Sequence, residues 1–253
     1  MNKFLILFSF FIVFIANAFS QGAWTQKANF GGTARDEAIG FSIGNKGYIG
    51  MGQLPSTDFW EWNQTTNTWS QKATYSGPVR NRAISFSIGT KGYIGTGTAS
   101  GLNDMWEWEQ TTNIWTQIQN FPGTARDGAV AFSIGTKANL GTGRSNTTTM
   151  HNDFWEWNQS TNVWTQKTNF GGTARWVAVG FSIGAKGYIG TGLTTSTGGA
   201  VKDFWEYDPS NNSWTQKANF GGTARRFAVG FSIGSKGYLG TGLYLLEIHL
   251  KNY

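Results

Sequence analysis

The chain has 253 residues, a formal net charge of +6 and no cysteine. That excludes disulfides, thiol catalysis and cysteine metal sites. A mild positive charge with no basic run argues for solubility rather than nucleic-acid binding. The 35 glycines are about twice the ordinary share of ~7%, and they recur at fixed places, as structural punctuation rather than as a linker.

The first segment, 1–20, reads as a secretory signal peptide. Lys3 is a short positive start, Phe4 to Ile15 is unbroken apolar, and Ala16-Asn17-Ala18-Phe19-Ser20 offers small residues for cleavage after Ala18 or Ser20. The apolar run is shorter than the ~20 residues a membrane helix needs, so no membrane span is expected in the mature chain, 21–253. The expected location is outside the cytoplasm: secreted, periplasmic or on the cell surface.

After residue 20 one block recurs five times, opening at Trp24, Trp69, Trp115, Trp164 and Trp214. A block this small cannot bury its apolar face alone, so copies must stack. Residues Ala178 to Ile183 alternate small and large, which is the period of a strand. Gly184-Ala185-Lys186-Gly187 reads as a tight hairpin with glycines suited to positive φ. Tyr188 to Gly192 reads as a second strand, Asp203 to Tyr207 as a third, Asp208 to Asn211 as a turn and Ser213 to Lys217 as a fourth. Four short antiparallel strands per repeat describe a propeller blade. No helical periodicity follows residue 20.

The run of Arg, small/large alternation, KGYIGTG and DFWEYDPSNNSW resembles the kelch repeat, over residues 24 to 242. The resemblance implies an all-β, kelch-type propeller of four-stranded antiparallel blades, of a secreted bacterial type. Five blades are expected with the last incomplete: about 35–72, 80–118, 126–167, 175–217 and a partial 225–253, preceded by a lone fourth strand over 23–27. The usual double glycine reads GMG or GTG here, and a threonine on the second strand is expected to be tolerated. In the third copy Ala138 and Asn139 replace Gly and Tyr, which predicts looser packing. After Gly242 the pattern fails, because Leu243 to Tyr253 contains no DFWEW. An improvised closure or a piece of a larger propeller would both account for this, and the second is the expectation.

Spacing locates the variation. Trp24 to Arg35, Arg35 to Gly50 and Asp58 to Trp69 have constant counterparts in the other copies, so length varies only between the second and third strands. In a meander those loops share a face with the 4–1 connections, and the hairpins carrying Lys46, Lys91, Lys137, Lys186 and Lys236 take the other. Just after each Arg the copies diverge, to Asp36-Glu37, Asn81-Arg82, Asp127-Gly128, Trp176-Val177 and Arg226-Phe227. Variable loops on a rigid scaffold carry binding. The candidate ligand-binding residues are therefore Asp36, Glu37, Asn81, Arg82, Asp127, Trp176, Arg226 and Phe227. The alternative is neutral drift of exposed positions after duplication.

The repeated Arg35, Arg80, Arg126, Arg175 and Arg225 are expected to be structural, paired with Asp58, Asp104, Asp153 and Asp203 to pin loops between blades. The resemblance to kelch blades implies the same role. Trp60 and Trp62 and their equivalents are expected in the core. The kelch-type copper oxidases, such as galactose oxidase, need paired histidines and a Tyr–Cys crosslink, and this chain has no cysteine. No catalytic residue, metal or cofactor is expected. The function expected is a non-enzymatic module binding an extracellular protein or glycan. The alternatives are a secreted sugar epimerase or mutarotase, with the Asp36-Glu37 and Arg82 pair as its candidate site, and a purely structural cell-surface module.

Overall fold

The computed structural model describes residues 23–53, 56–98, 101–146 and 148–244. The expected signal peptide lies outside them. Blade 1 is β1 (Ile39–Ile43), β2 (Lys46–Gly50), β3 (Phe59–Asn63) and β4 (Thr68–Gln71). Blade 2 is β5 (Ile84–Ile88), β6 (Lys91–Gly95), β7 (Met105–Glu109) and β8 (Ile114–Ile118). Blade 3 is β9 (Val130–Ile134), β10 (Lys137–Gly141), β13 (Phe154–Asn158) and β14 (Val163–Lys167), with a small ribbon, β11 (Arg144–Ser145) and β12 (Thr149–Met150), raised from its 2–3 loop. Blade 4 is β15 (Val179–Ile183), β16 (Lys186–Gly190), β17 (Phe204–Asp208) and β18 (Ser213–Lys217). Among the described residues the fifth repeat supplies only the hairpin β19 (Val229–Ile233) and β20 (Lys236–Gly240).

Each blade is an antiparallel meander in strand order, and the first strands β1, β5, β9, β15 and β19 follow one another around a common channel. Among the described residues there are four blades, and the expected partial fifth is a two-stranded hairpin. Among the described residues β19 makes no contact with β1, so the ring is open there. The lone strand expected over 23–27 is not formed, and Trp24 is fully exposed. A fourth strand needs a third to pair with, and the fifth repeat has none among the described residues. The segment that follows does dock on blade 1. Ala28 donates to Asn67 Oδ1 (3.0 Å) and accepts from the Trp69 indole (3.2 Å).

The core lies between blades. In β1 Phe41 stacks on Tyr48 of β2 (5.2 Å), and Tyr48 and Phe59 meet Trp108 of blade 2, each at 5.0 Å. Trp108 and Trp157 are fully buried. Each such ring contributes roughly 1.5–3 kcal/mol of burial. The neighbour can approach because the second residue of the second strand is glycine in every blade but the third, where it is Ala138. A Cβ on Gly92 would collide with Phe41, and one on Gly187 with Phe132. Gly187 is therefore a packing glycine and not a turn glycine. The hairpin turn itself uses Gly184, whose φ of +57° at the first of two central positions fits a type II′ turn.

The residue inside each G-x-G lies just past the second strand, not on it. Met51, Thr96, Thr142, Thr191 and Thr241 all have φ between 55° and 61°, the left-handed region that favours glycine. The side chains of Thr96, Thr142 and Thr191 are fully buried, and their hydroxyls have no hydrogen-bond partner among the described residues. The threonines are accommodated at a cost rather than neutrally.

Candidate functional site at the channel mouth

Each blade is tied at its start by the repeated arginine. Arg126 is fully buried; its Nη atoms hold Asp153 at 2.5 and 2.9 Å, Nη1 reaches Thr142 O (2.8 Å) and Nε reaches Thr124 O (2.8 Å). The guanidinium lies over Phe121 (5.0 Å), and the Trp155 indole donates to the same carboxylate (2.8 Å). Arg35–Asp58, Arg80–Asp104 and Arg175–Asp203 repeat the pairing. Burial works to raise Asp153, but Arg126 and the Trp155 indole outweigh it and hold the carboxyl below its ordinary value. The pairing lies within one blade. The tie between blades is the arginine's carbonyl, which accepts from the second glycine of the preceding G-x-G, as Gly97 N to Arg126 O (2.8 Å) and Gly143 N to Arg175 O (2.7 Å).

Immediately after this knot come the divergent pairs. The second member of every pair is left-handed: Glu37, Arg82, Gly128, Val177 and Phe227 have φ from 46° to 59°. That geometry lets their backbones link head to tail around the mouth. Arg82 N donates to Glu37 O (3.3 Å), Gly128 N to Arg82 O (3.0 Å), Val177 N to Gly128 O (2.8 Å) and Phe227 N to Val177 O (3.2 Å). For a β-branched residue such as Val177 this φ is strained. The first member of each pair bonds instead to the 2–3 loop of its own repeat, through the bridges Asp127↔Arg144, Trp176↔Leu193 and Arg226↔Leu243.

The side chains form a chain of alternating charge. Arg82 holds Glu37 (Nε–Oε1, 2.7 Å) and Asp127 (3.3 Å), and Arg144 holds Asp127 from the other side (3.0 Å). Burial works against the charge of Arg82, but Glu37 and Asp127 outweigh it and hold its pKa above the ordinary value. Trp176 lies 3.5 Å from the Arg144 guanidinium and meets Phe227 edge-on at 6.1 Å. Asp36, Glu37, Arg82, Val177, Phe227 and Leu243 line a cavity of about 580 Å³, together with the alanines that immediately precede each inner strand. Glu37 Oε2 is buried and has no partner among the described residues.

The structure thus brings together Glu37, Arg82, Asp127, Trp176 and Phe227. Asp36 stands exposed on the rim, and Arg226 lies over Phe227 (5.9 Å). Asn81 contributes its carbonyl, to Thr98 N (2.9 Å), and does not line the cavity. Sequence reasoning missed Arg144. Its signal was available, since Gln53, Thr98, Leu193 and Leu243 hold the matching place and none is charged. His151 lies in the loop of blade 3 against Ser145 Oγ (2.8 Å), with its pKa lowered by burial and Arg126. Among the described residues no three histidine or acidic side chains group as a metal site requires, and no helix is long and apolar enough to cross a membrane.

Fold and site together define an all-β propeller with a polar, aromatic-lined mouth. The solved structure of YjhT is similar, with a TM-score of 0.70 over 79% of this chain and 70% of that one, at 16% identity. That likeness shows the fold alone. No protein-family model matches the chain, and no curated protein does. Propellers host many unrelated functions, so function has to be argued from the mouth.

Proposed function

We propose that the chain is a secreted, non-enzymatic binding module of the kelch-repeat type, taking an extracellular protein or glycan on the face that carries the mouth and the 2–3 loops. One observation carries this reading. Divergence between repeats collects around a cavity of about 580 Å³, while the opposite rim keeps its lysine hairpins in register. The ligand surface combines the acids Asp36 and Glu37 with the apolar Phe227 and Leu243, which suits a partner with hydroxyl or amine donors beside an apolar face. Trp176 is only 5% exposed, so its removal also costs stability and is a poor test. The double variant Asp36→Ala/Arg226→Ala touches only rim side chains. It should lose capture on a glycan and protein array while keeping the wild-type melting temperature, and undiminished capture would sink the reading.

A second reading, a sugar epimerase or mutarotase, is favoured by one feature: Glu37, with its unpartnered oxygen, sits against Arg82 in the same cavity. Anomer turnover abolished by Glu37→Gln would support it. A blank array together with no turnover would leave a purely structural cell-surface module.

A further inference from the structure

In each complete blade the third strand delivers a fixed set of side chains to the strand beside it. In blade 4 Asp203 holds Arg175 at 2.7 Å through both Nη atoms. Phe204 covers Gly190, where a Cβ would collide with its ring, and Trp205 lies over Gly171, where a Cβ would meet it at 2.8 Å. Glu206 accepts from the Tyr188 hydroxyl (2.8 Å). The fifth residue packs against the preceding blade, as Tyr207 does on Phe154 (4.8 Å).

The fifth repeat carries the receiving half of this arrangement. Arg225 is already posed, with Nε on Thr223 O (3.0 Å), Nη1 on Thr241 O (2.7 Å) and its guanidinium 4.6 Å from Phe220. Arg175 makes the same three contacts, at 2.9, 3.0 and 4.8 Å. Among the described residues Arg225 has no carboxylate. A Cβ on Gly240 or Gly221 would meet nothing within 4 Å, and Gly221 lines an open depression of about 770 Å³. Tyr238 is 43% exposed, and no acid among the described residues is hydrogen-bonded to its hydroxyl. Between Tyr188, Phe204 and Tyr238 lies an apolar cavity of about 510 Å³, at the place where blade 3 receives Tyr207. The outer edge of β20 has no partner strand among the described residues.

We propose that this edge is a strand-acceptor site for an extended segment of another polypeptide with the pattern Asp-Phe-Trp-Glu-(Trp/Tyr). The occupant follows from the chain itself, which seats that pattern or its Met variant four times on the same surface. In the register of blade 4, where Gly190 faces Phe204 and Tyr188 faces Glu206, each side chain has a place. The Asp takes Arg225, the Phe takes Gly240, and the Trp takes the depression at Gly221. The Glu accepts from Tyr238, and the last aromatic fills the cavity beside Phe204. Backbone pairing supplies affinity and the side-chain places supply selectivity, as in other strand-addition complexes. Residues 244–253 contain no Asp, Phe or Trp, so that stretch does not carry the pattern.

The test is fluorescence polarisation with a labelled synthetic peptide of the sequence of residues 202–217, titrated with the full chain. Saturable binding is expected. It should weaken at least tenfold when the peptide Asp is replaced by Asn, and likewise in the Arg225→Gln and Gly240→Val proteins. Both changes lie in the fifth repeat, outside the four complete blades, and unaltered circular dichroism and melting would show that the blades remain folded. Hydrogen exchange should slow at the β20 amides when peptide is bound. No saturable binding, equal binding of a scrambled peptide, or unchanged affinity in both protein variants would overturn the proposal.

Discussion

At the mouth rim the five equivalent positions read Glu37, Arg82, Gly128, Val177 and Phe227; at the hairpin rim they read Lys46, Lys91, Lys137, Lys186 and Lys236. The rims differ in which atoms join one blade to the next. At the mouth the joint is a backbone hydrogen bond from each left-handed residue to the one before it, so any side chain that tolerates the conformation can stand there. At the hairpin rim the joint is made by side chains. Gln110 donates to the Tyr48 hydroxyl (2.6 Å) and Gln159 to that of Tyr93 (2.7 Å). In the next junction Asn139 replaces the tyrosine and Pro209 replaces the glutamine. Both partners differ together there, and Asn139 Oδ1 is left buried with no partner among the described residues. Backbone joints allow residues to diverge one by one, and side-chain joints tie them in pairs.

Both rims rest on the arginine knots, so the largest effect should come from breaking one. Arg126→Ala leaves Asp153 without its ion-pair partner and should cost about 3–5 kcal/mol in denaturant unfolding, as removal of one member of a buried pair does. A loss comparable to that of a surface mutation would show the knot to be incidental. The pH dependence carries the same information. Asp58, Asp153 and Asp203 have pKa values lowered in the folded state. Their contribution is therefore complete above the ordinary carboxylate pKa of about 3.9 and is lost as pH falls below it through the folded values. Asp153→Asn should flatten the acid limb of a stability-versus-pH curve, and an unchanged limb would contradict the assignment.

Much of this was legible beforehand because strand pairing has period two and the repeats are almost identical. The third strand, the Arg–Asp pairing and the face of the variable loops follow from constant spacings such as Arg126 to Gly141. The left-handed residues were not legible, since Val177 and Phe227 are the last residue types one would place at positive φ. Nor was Arg144, which reaches Asp127 and Trp176 only because the 2–3 loop folds back over the mouth. The coupling of Asn139 with Pro209 was visible only in part. Ala138 and Asn139 were expected to loosen blade 3, yet both are buried, at 0% and 1% exposure. Their real cost is an unpaired Asn139 Oδ1.

At the hairpin rim, Tyr93→Phe removes an acceptor from Gln159 and a donor from Glu107. It should cost about 1–2 kcal/mol, where a mouth substitution such as Asp36→Ala should fall within about 0.5 kcal/mol. The sharper form is a double-mutant cycle at the next junction. Asn139→Tyr and Pro209→Gln should each be neutral or destabilising alone, and together should show a favourable coupling of at least about 0.5 kcal/mol. Simple additivity would mean that the side-chain joint does not reach across this junction.

An effect of opposite sign, a gain in stability, is expected between the rims, at the G-x-G threonines. Thr191 sits at φ 60° with its hydroxyl buried and unpartnered. The left-handed conformation costs a non-glycine residue about 1–2 kcal/mol, and an unsatisfied hydroxyl adds about 1–3 kcal/mol. Against this, glycine brings extra chain entropy of about 0.5–1 kcal/mol, and the lost methyl gives up about 0.8 kcal/mol of burial. Thr191→Gly should therefore stabilise the protein, by about 2 kcal/mol in denaturant unfolding, and Thr191→Val by less, because it removes the hydroxyl but keeps the strained backbone. If the two variants shifted stability equally, the buried hydroxyl rather than the backbone would be the source of the cost. The left-handed geometry would then have to be supported by something other than the bond that Gly192 makes to Arg225 O (2.8 Å).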